Sequence, residues 1–288
     1  MLYKKNKKKY LPKFSVILPV FWGTNSNEFM CAYQSLIRQT IPPDEIIIIC
    51  DGKLKVNLKV IIAKLERDNK LVKVYKSKYN FGPGHARNFG VEKSKYNIVA
   101  FMDSDDISLP KRFELQLPFF RKKDISAVGG FIKEINLNSN ISKVRVVMEV
   151  PSNELRNKFI SPVNNVTMIV KKKEFLVMGG FPEIRKGEDF VLWAKFILNK
   201  KKIINLAKIL VEVKVSELEK KRIKSKIDLQ YITYLGRIKW FNIYEEQTLK
   251  FILLVLFFSP LIVTQIIYKI LRRFPLENQI VGQRRKFR

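Results

Sequence analysis

From residue 14 onward, apolar residues arrive in short blocks separated by polar, turn-forming stretches, and the spacing within each block identifies it. Phe14–Val20 is a mostly apolar run of strand length and predicts a first buried strand. In Glu28–Gln39 the apolar positions Phe29, Ala32, Tyr33, Leu36 and Ile37 recur every three or four residues, the period of a helix with one buried face. Glu45–Cys50 is rich in isoleucine and does not alternate, which predicts a strand covered on both faces. Val56–Asn69 reads as a second helix and Val72–Tyr75 as a short strand. After the turn Asn80-Phe81-Gly82-Pro83-Gly84 come a helix over His85–Lys93 and a strand over Asn97–Met102. This alternation predicts an α/β fold with a parallel, doubly wound sheet, whose ligands lie in the crevice at the carboxyl ends of the strands.

Downstream the pattern turns β-like and less regular, over Ala127–Ile135, Val144–Val150 and Val166–Lys171. Gly187–Asn199 reads as a helix opened by Glu188 and Asp189, and no internal repeat is evident. Leu249–Leu271 is mostly apolar but is interrupted by Lys250, Ser259-Pro260, Thr264-Gln265 and Lys269. About 20 apolar residues can span a bilayer, so this segment reads as a single span, as an amphipathic or re-entrant helix at the membrane face, or as a helix packed on the domain. The chain thus divides into a basic leader (1–13), an α/β domain in two halves (14–106 and 107–215) and a helical basic C-terminal region (216–288) containing the apolar segment 249–271.

Length and composition allow a real core: 288 residues, 47% hydrophobic, exclude a disordered chain. The formal charge of +29, from 55 Lys and Arg against 26 Asp and Glu, calls for an anionic membrane or nucleic acid as partner. Abundant Lys, Ile and Asn, as in proteins from AT-rich genomes, accounts for part of it. Lysines crowd the N-terminus and a mix of Lys and mostly Arg the C-terminus, and Arg272-Arg273 beside the apolar segment suits anionic lipid headgroups, at ~1 kcal/mol per basic residue near the surface. The apolar run after the lysine-rich leader contains Pro19 and lacks a small-residue cleavage site, so it reads as a strand and not a signal peptide. Cys31 and Cys50 lack metal-site spacing and are expected to be small core residues; a single histidine, His85, excludes His-rich zinc sites.

The candidate chemistry sits where the fourth strand ends, in Phe101-Met102-Asp103-Ser104-Asp105-Asp106. Side chains at i and i+2 of an extended segment point the same way, so Asp103 and Asp105 can converge. Two carboxylates there suit a hard cation, Mg²⁺ or Mn²⁺, held also by a substrate diphosphate. Asp-Ser-Asp-Asp equally suits a turn and helix cap, and Asp106 is expected to cap a helix beginning at Pro110. Asp51 ends the second strand, so it is expected to share a crevice with Asp103.

Five ordered motifs resemble glycosyltransferase family 2, the inverting GT-A enzymes, from about Phe14 to Trp193. They are the opening strand Ser15–Phe21, the helix–turn–strand–aspartate stretch Ser35–Gly52, the loop and helix start Asn80–Asn88, the acidic Asp103–Asp106, and Gly187–Trp193 with its Glu-Asp pair. The resemblance is to bacterial enzymes that build capsule, O-antigen or exopolysaccharide repeats. It implies a nucleotide-sugar site including Pro19, Phe21, Asp51, Arg87 and Asp103, with Asp51 accepting from the donor's base and Arg87 facing its diphosphate. It implies Asp105 as main ligand of Mn²⁺ or Mg²⁺, aided by Asp103, and Asp189 as general base, with Glu188 orienting it or contacting the acceptor. Trp193 either lines the acceptor site or belongs to the core; Asn165 stands where relatives often carry His, and Asn takes up no proton. The family often has two acids at the end of its second strand, whereas here Cys50 precedes Asp51. The Q-x-x-R-W motif of processive synthases is absent, which implies single additions. Lys221-Arg222 would either close over the donor phosphates or form a solvated basic face.

The expected partners are a nucleoside diphosphate sugar, a UDP-sugar first, a glycan acceptor on a polyprenyl diphosphate, and an anionic membrane surface, with no nucleic acid. The expected place is the cytoplasmic face of the cytoplasmic membrane, peripheral or with one C-terminal segment. Two other classes compete. A sugar nucleotidyltransferase would need a Gly-rich phosphate loop after the first strand, where Phe21-Trp22-Gly23-Thr24-Asn25 has one glycine. A nucleic-acid-binding protein rests on charge alone.

Overall fold

The computed structural model describes residues 11–136, 142–151, 161–184, 187–215 and 284–286. Its first half is a βα alternation: β1 (Phe14–Phe21), α1 (Ser26–Ile37), β2 (Glu45–Asp51), α2 (Val56–Asp68), β3 (Val72–Ser77), α3 (Pro83–Lys93) and β4 (Ile98–Phe101). β4, β1, β2 and β3 lie side by side in that order, all parallel. The chain therefore winds outward from β1 to β3 and then returns to the other side of β1. Its switch point lies between β1 and β4, where open α/β sheets place their ligands.

The second half continues the same sheet with β5 (Ile107–Ser108), α4 (Arg112–Gln116), β6 (Ile125–Asn136), β7 (Ser142–Arg145), β8 (Ile169–Lys171), α5 (Lys172–Val177), α6 (Glu188–Leu198) and β9 (Lys202–Val215). β8 joins β4 antiparallel, β6 pairs antiparallel with β8 and β7, and β9 runs parallel to β6 and closes on β5. The result is a mixed sheet that fits the GT-A α/β fold.

Strand periodicity explains how the sheet acquires two cores. All seven residues of β2 are buried. Ile46, Ile48 and Cys50 pack with Val16, Leu18 and Val20 against α1 and α2, through Phe29, Leu36, Leu58 and Ile62. Ile47 and Ile49 point the other way and, with Ile17 and Phe101, meet α3, α5 and α6 through Ala86, Phe175, Leu192 and Phe196. Asn25 caps α1, its side chain accepting from the backbone N–H groups of Asn27 and Glu28 at 2.9 and 3.3 Å.

Several expectations are corrected. α4 begins at Arg112, behind the two-residue strand β5, and not at Pro110. The strand expected over Val144–Val150 is Ser142–Arg145, and Val166–Lys171 divides into a tight 3₁₀ turn (Asn165–Thr167) and β8. The 14-residue β9 has no counterpart in the sequence reading. Cys31 is exposed, because it falls off the Phe29/Ala32/Tyr33/Leu36 stripe; Cys50 is buried, which pushes its thiol up to about 11. Of the leader only residues 11–13 are described. The segment 249–271 and Lys221-Arg222 lie outside the described residues, and of the C-terminal region only Arg284–Lys286 is placed, as a strand (β10) antiparallel to β7. Among the described residues no helix is long and apolar enough to cross a membrane.

The approach of α3 to the sheet sets the depth of the crevice. A Cβ on Gly90 would stand 2.4 Å from Ile17 Cγ2, a methyl on a fully buried β-branched residue. Gly90→Ala gains about 1 kcal/mol of helix propensity but forces this contact apart, at about 1–3 kcal/mol. A lower Tm for Gly90→Ala in thermal unfolding is expected, and a higher one would show that α3 has room to spare.

Candidate active site

The carboxyl ends of β1, β2 and β3 form one row, with Phe21 in register with Asp51 and Asp51 with Ser77. Asp51 is almost fully buried. Its two carboxylate oxygens accept the backbone N–H groups of Phe81 and Gly82, each at 2.9 Å, and its carbonyl accepts from Asn80 Nδ2 at 3.2 Å. Asp51 thus shapes the loop leading into α3, and a carboxylate with two such bonds keeps lone pairs for another donor. Gly52, at φ +84°, makes the turn away, and its missing Cβ leaves room for the Asn80 backbone. Phe21 is half exposed beside Asp51, Pro19 is half-buried, and exposed Phe81 packs its ring 4.6 Å from that of His85.

α3 carries the residues that join distant loops. Arg87 is buried, with Nη2 donating to Asp103 Oδ1 at 2.6 Å and Nη1 to Glu188 Oε1 at 3.3 Å. Its guanidinium lies 5.6 Å from the ring of Phe181. The next residue, Asn88, clamps the Phe181 backbone from both sides, donating to its carbonyl and accepting its N–H, each at 2.8 Å. Gly84 lets the first turn of α3 close on this region: a Cβ there would meet Glu188 Cγ and Phe181 Cβ at 3.2 Å. One helix therefore holds the end of β4 and the start of α6 together.

Burial works against the Arg87 charge, but Asp103 and Glu188 more than offset it, so its pKa lies above the ordinary value. Burial, and then the adjacent Asp189, push the Glu188 carboxyl up to about 7 despite the pull of Arg87. Asp189 is half-buried, its Oδ1 accepting the N–H of Phe190 at 2.8 Å.

The acidic loop after β4 turns at Ser104-Asp105, so the extended-strand argument for the convergence of Asp103 and Asp105 does not hold. Asp103 leans on Arg87 with a third of its side chain exposed, and Asp105 is exposed. Ser104 Oγ stands 3.4 Å from Thr24 Oγ1, and that hydroxyl accepts the Phe21 N–H at 3.0 Å, linking the ends of β1 and β4 across the switch point. Among the described residues no group of three or more His, Cys, Asp or Glu closes around a cation. A cation such as Mg²⁺ needs only one or two protein carboxylates and takes substrate phosphates and water for the rest.

The structure thus brings Asp51, Arg87, Asp103, Glu188 and Asp189 into one connected region. It does not bring Trp193 there. Trp193 is fully buried and donates Nε1–H to Asn165 Oδ1 at 3.0 Å, which leaves it in the core with Asn165 as its partner. Sequence reading missed the Asn88 clamp and the pairing of Arg87 with two acids; the Ala-Arg-Asn run carried the signal, a polar pair at the start of a helix that must pack on a sheet.

The family profile for glycosyl transferase family 2 matches residues 15–171. Among similar proteins is the UDP-Gal:alpha-D-GlcNAc-diphosphoundecaprenol beta-1,3-galactosyltransferase of Escherichia coli, 32% identical over 215 residues, covering 73% of this chain and 77% of that one. Another is the amylovoran biosynthesis glycosyltransferase AmsE of Erwinia amylovora, 28% identical over 225 residues, covering 75% and 84%. Among solved structures, Staphylococcus aureus TarS 1–349 in complex with UDP-GlcNAc aligns with a TM-score of 0.59 at 23% identity, covering 77% of this chain and 64% of that one. The mannosyltransferase PcManGT from Pyrobaculum calidifontis, in complex with GDP-Man and Mn²⁺, aligns with a TM-score of 0.59 at 14% identity, covering 77% and 66%. With that profile spanning more than half its length, from β1 to β8, the chain belongs to glycosyltransferase family 2 and is a glycosyltransferase.

Proposed function

We propose that the protein transfers a sugar from a nucleoside diphosphate sugar, a UDP-sugar first, to a hydroxyl of a polyprenyl diphosphate-linked glycan, with inversion at the anomeric carbon. The observation that carries this reading is the Arg87 bridge, which sets the donor-side turn at Asp103 against the Glu188-Asp189 end of α6. The donor's base would lie at the row of Phe21, Asp51 and Pro19, with Asp51 accepting from it. Asp189 acts as general base, taking the proton from the acceptor hydroxyl as that oxygen attacks opposite the departing diphosphate. Arg87 holds Glu188 and Asp103 in place and is not free to grip the diphosphate by itself. Asp105, with the second oxygen of Asp103, would hold Mn²⁺ or Mg²⁺, whose chemistry is to neutralise charge on the leaving group.

The acceptor class is supported by the E. coli relative, which is described as acting on GlcNAc-diphosphoundecaprenol. A lipid-linked acceptor suits a peripheral position on the cytoplasmic face of the membrane, where the excess of Lys and Arg meets anionic headgroups. Family membership leaves nucleotidyl transfer and nucleic-acid binding without an observation in their favour. One observation does favour a second assignment within the same chemistry: Glu188, at about 7, is poised near the pH at which a general base works best. Its engagement by Arg87 is the reason to prefer Asp189.

A panel of nucleotide sugars with an undecaprenyl diphosphate-linked GlcNAc acceptor, with and without Mn²⁺, read by released nucleoside diphosphate, tests the reaction. Asp189→Asn is expected to lower kcat by about 10²–10⁴ while the donor dissociation constant stays within a few-fold. Transfer near the wild-type rate in that variant, with loss in Glu188→Gln, would move the base to Glu188. Asp105→Asn is expected to abolish the response to Mn²⁺.

Glu188 also sets a pH dependence of stability. Its folded pKa is raised, so its contribution is fully present below the ordinary carboxyl range near 4.5 and is lost as pH rises through about 7. Wild-type Tm is expected to fall relative to Glu188→Gln between those values, by several °C at roughly 2–4 °C per kcal/mol. Parallel Tm–pH curves for the two proteins would show that Glu188 does not titrate there.

A further inference from the structure

Arg112, the first residue of α4, is fully buried although it carries a charge, and nothing in the transfer reaction accounts for it. Its three donor nitrogens all have partners. Nη2 donates to the carbonyl of Phe101 at 2.9 Å, Nη1 to Met102 Sδ at 3.4 Å and Nε to Gln116 Oε1 at 3.2 Å. Gln116, also fully buried, is locked in turn: its Nε2 donates to the carbonyls of Val128 at 2.9 Å and Thr167 at 2.8 Å. The guanidinium lies 5.0 Å from the ring of Phe113. The fork is therefore fixed by β6 and by the turn before β8, and it grips the last residue of β4 and the one after it.

Taking a cation out of water costs several kcal/mol unless compensating charge stands near. None of the three hydrogen-bond acceptors is a carboxylate. Burial pulls the guanidinium down to about 9, and Asp103 and Asp106 are the groups that hold it up. Asp106 is itself nearly fully buried. The acids of the turn thus stabilise the charge of Arg112.

We infer that Arg112 is the positioning residue of the Asp103–Asp106 turn: it fixes where β4 ends and supplies buried positive charge to the turn, so that Asp103 and Asp105 are set for the donor before the donor arrives. Arg87 holds Asp103 by its side chain, and Arg112 holds the backbone from which Asp103 projects. The inference rests on the reading of this turn as the donor's end of the site. A guanidinium serves here because its planar fork reaches a carbonyl, a thioether and an amide oxygen at once, which an ammonium cannot do.

Amide hydrogen exchange on the full chain, without substrate, tests it. In Arg112→Gln, which removes the charge and the fork, exchange across residues 102–108 is expected to rise about tenfold or more while β2 keeps its wild-type protection. Arg112→Lys, which keeps the charge alone, is expected to fall between. In turnover, the donor KM and the Mn²⁺ concentration for half-maximal rate are expected to rise several-fold in Arg112→Gln with a much smaller change in kcat, and Arg112→Lys to recover part of the loss. Unchanged exchange over 102–108, or a rise shared equally by β2, overturns the inference, as does a fall in kcat at constant KM. If Arg112→Gln does not fold, Arg112→Lys and Gln116→Met carry the test, and no local rise in either counts against it. Absence of sugar transfer by the wild type would remove the functional reading alone, since the exchange experiment needs no turnover.

Discussion

The buried guanidinium of Arg87 is the constraint around which the site is organised. It meets carboxylates contributed from 16 residues downstream and 101 residues downstream, on the loop after β4 and at the head of α6. Each of these charges would be costly to bury alone, and together they compensate one another. Breaking such a buried arrangement by removing one member typically costs 3–5 kcal/mol, about half of a domain's net stability. The geometry of the crevice and the stability of the fold are for that reason the same problem at this point. Folding around this guanidinium brings the Asp103 turn and the head of α6 together.

The sheet makes that arrangement reachable. Because β4 returns to the inner side of β1, the loops after β1 and β4 flank the switch point, and Thr24 and Ser104 meet across it. α3 then has to cross the same edge closely. It does so through glycines at the two positions where a side chain would collide, Gly84 against α6 and Gly90 against β1. Asp51 fixes the approach of this helix by taking the N–H groups of the loop before it. The residues expected to bind the donor are therefore also those that set the angle of α3, and α3 in turn delivers Arg87.

How much of this was legible in the sequence depends on the range of the interaction. The βα order of the first half follows from local periodicity, and every expected element from β1 to β4 is present within a few residues of its expected bounds. β9 does carry a local signal, the apolar and polar alternation of Val211–Val215, but its pairing with β6 brings together segments about 80 residues apart. Trp193 shows the limit of helical spacing. It does lie one turn after Asp189, but α6 is buried from Phe190 through Ala194, so sharing a face does not confer access to the crevice. Arg87 was placed on the right helix for the right reason, a cation near a helix start that needs an anion. The anion expected there was the donor's diphosphate, whereas the structure pairs Arg87 with Asp103 and Glu188, which come from the loop after β4 and the head of α6. Arg112 carries the same signal, a cation opening a helix just after an acidic turn, but its acceptors on β4 and Gln116 are set by tertiary packing.

On the function proposed above, the charge balance of the crevice ties the donor to a cation. Asp103, Glu188 and Asp189 gather around the guanidinium of Arg87, and Asp103 and Asp106 stand near that of Arg112. The chain's large positive excess does not neutralise them, since the neighbouring surface lysines such as Lys53 and Lys55 are exposed and act through water. A nucleoside diphosphate entering this region adds further negative charge, which is unfavourable unless a hard cation enters with it. Both arginines are committed to protein groups and are poorly placed to supply that charge. Asp105 is exposed, and Glu188 can shed its share of the excess by taking a proton near neutral pH. A site built this way holds its acids in place with buried arginines, and on the function proposed above a cation and a diphosphate would enter it together because neither would fit well without the other.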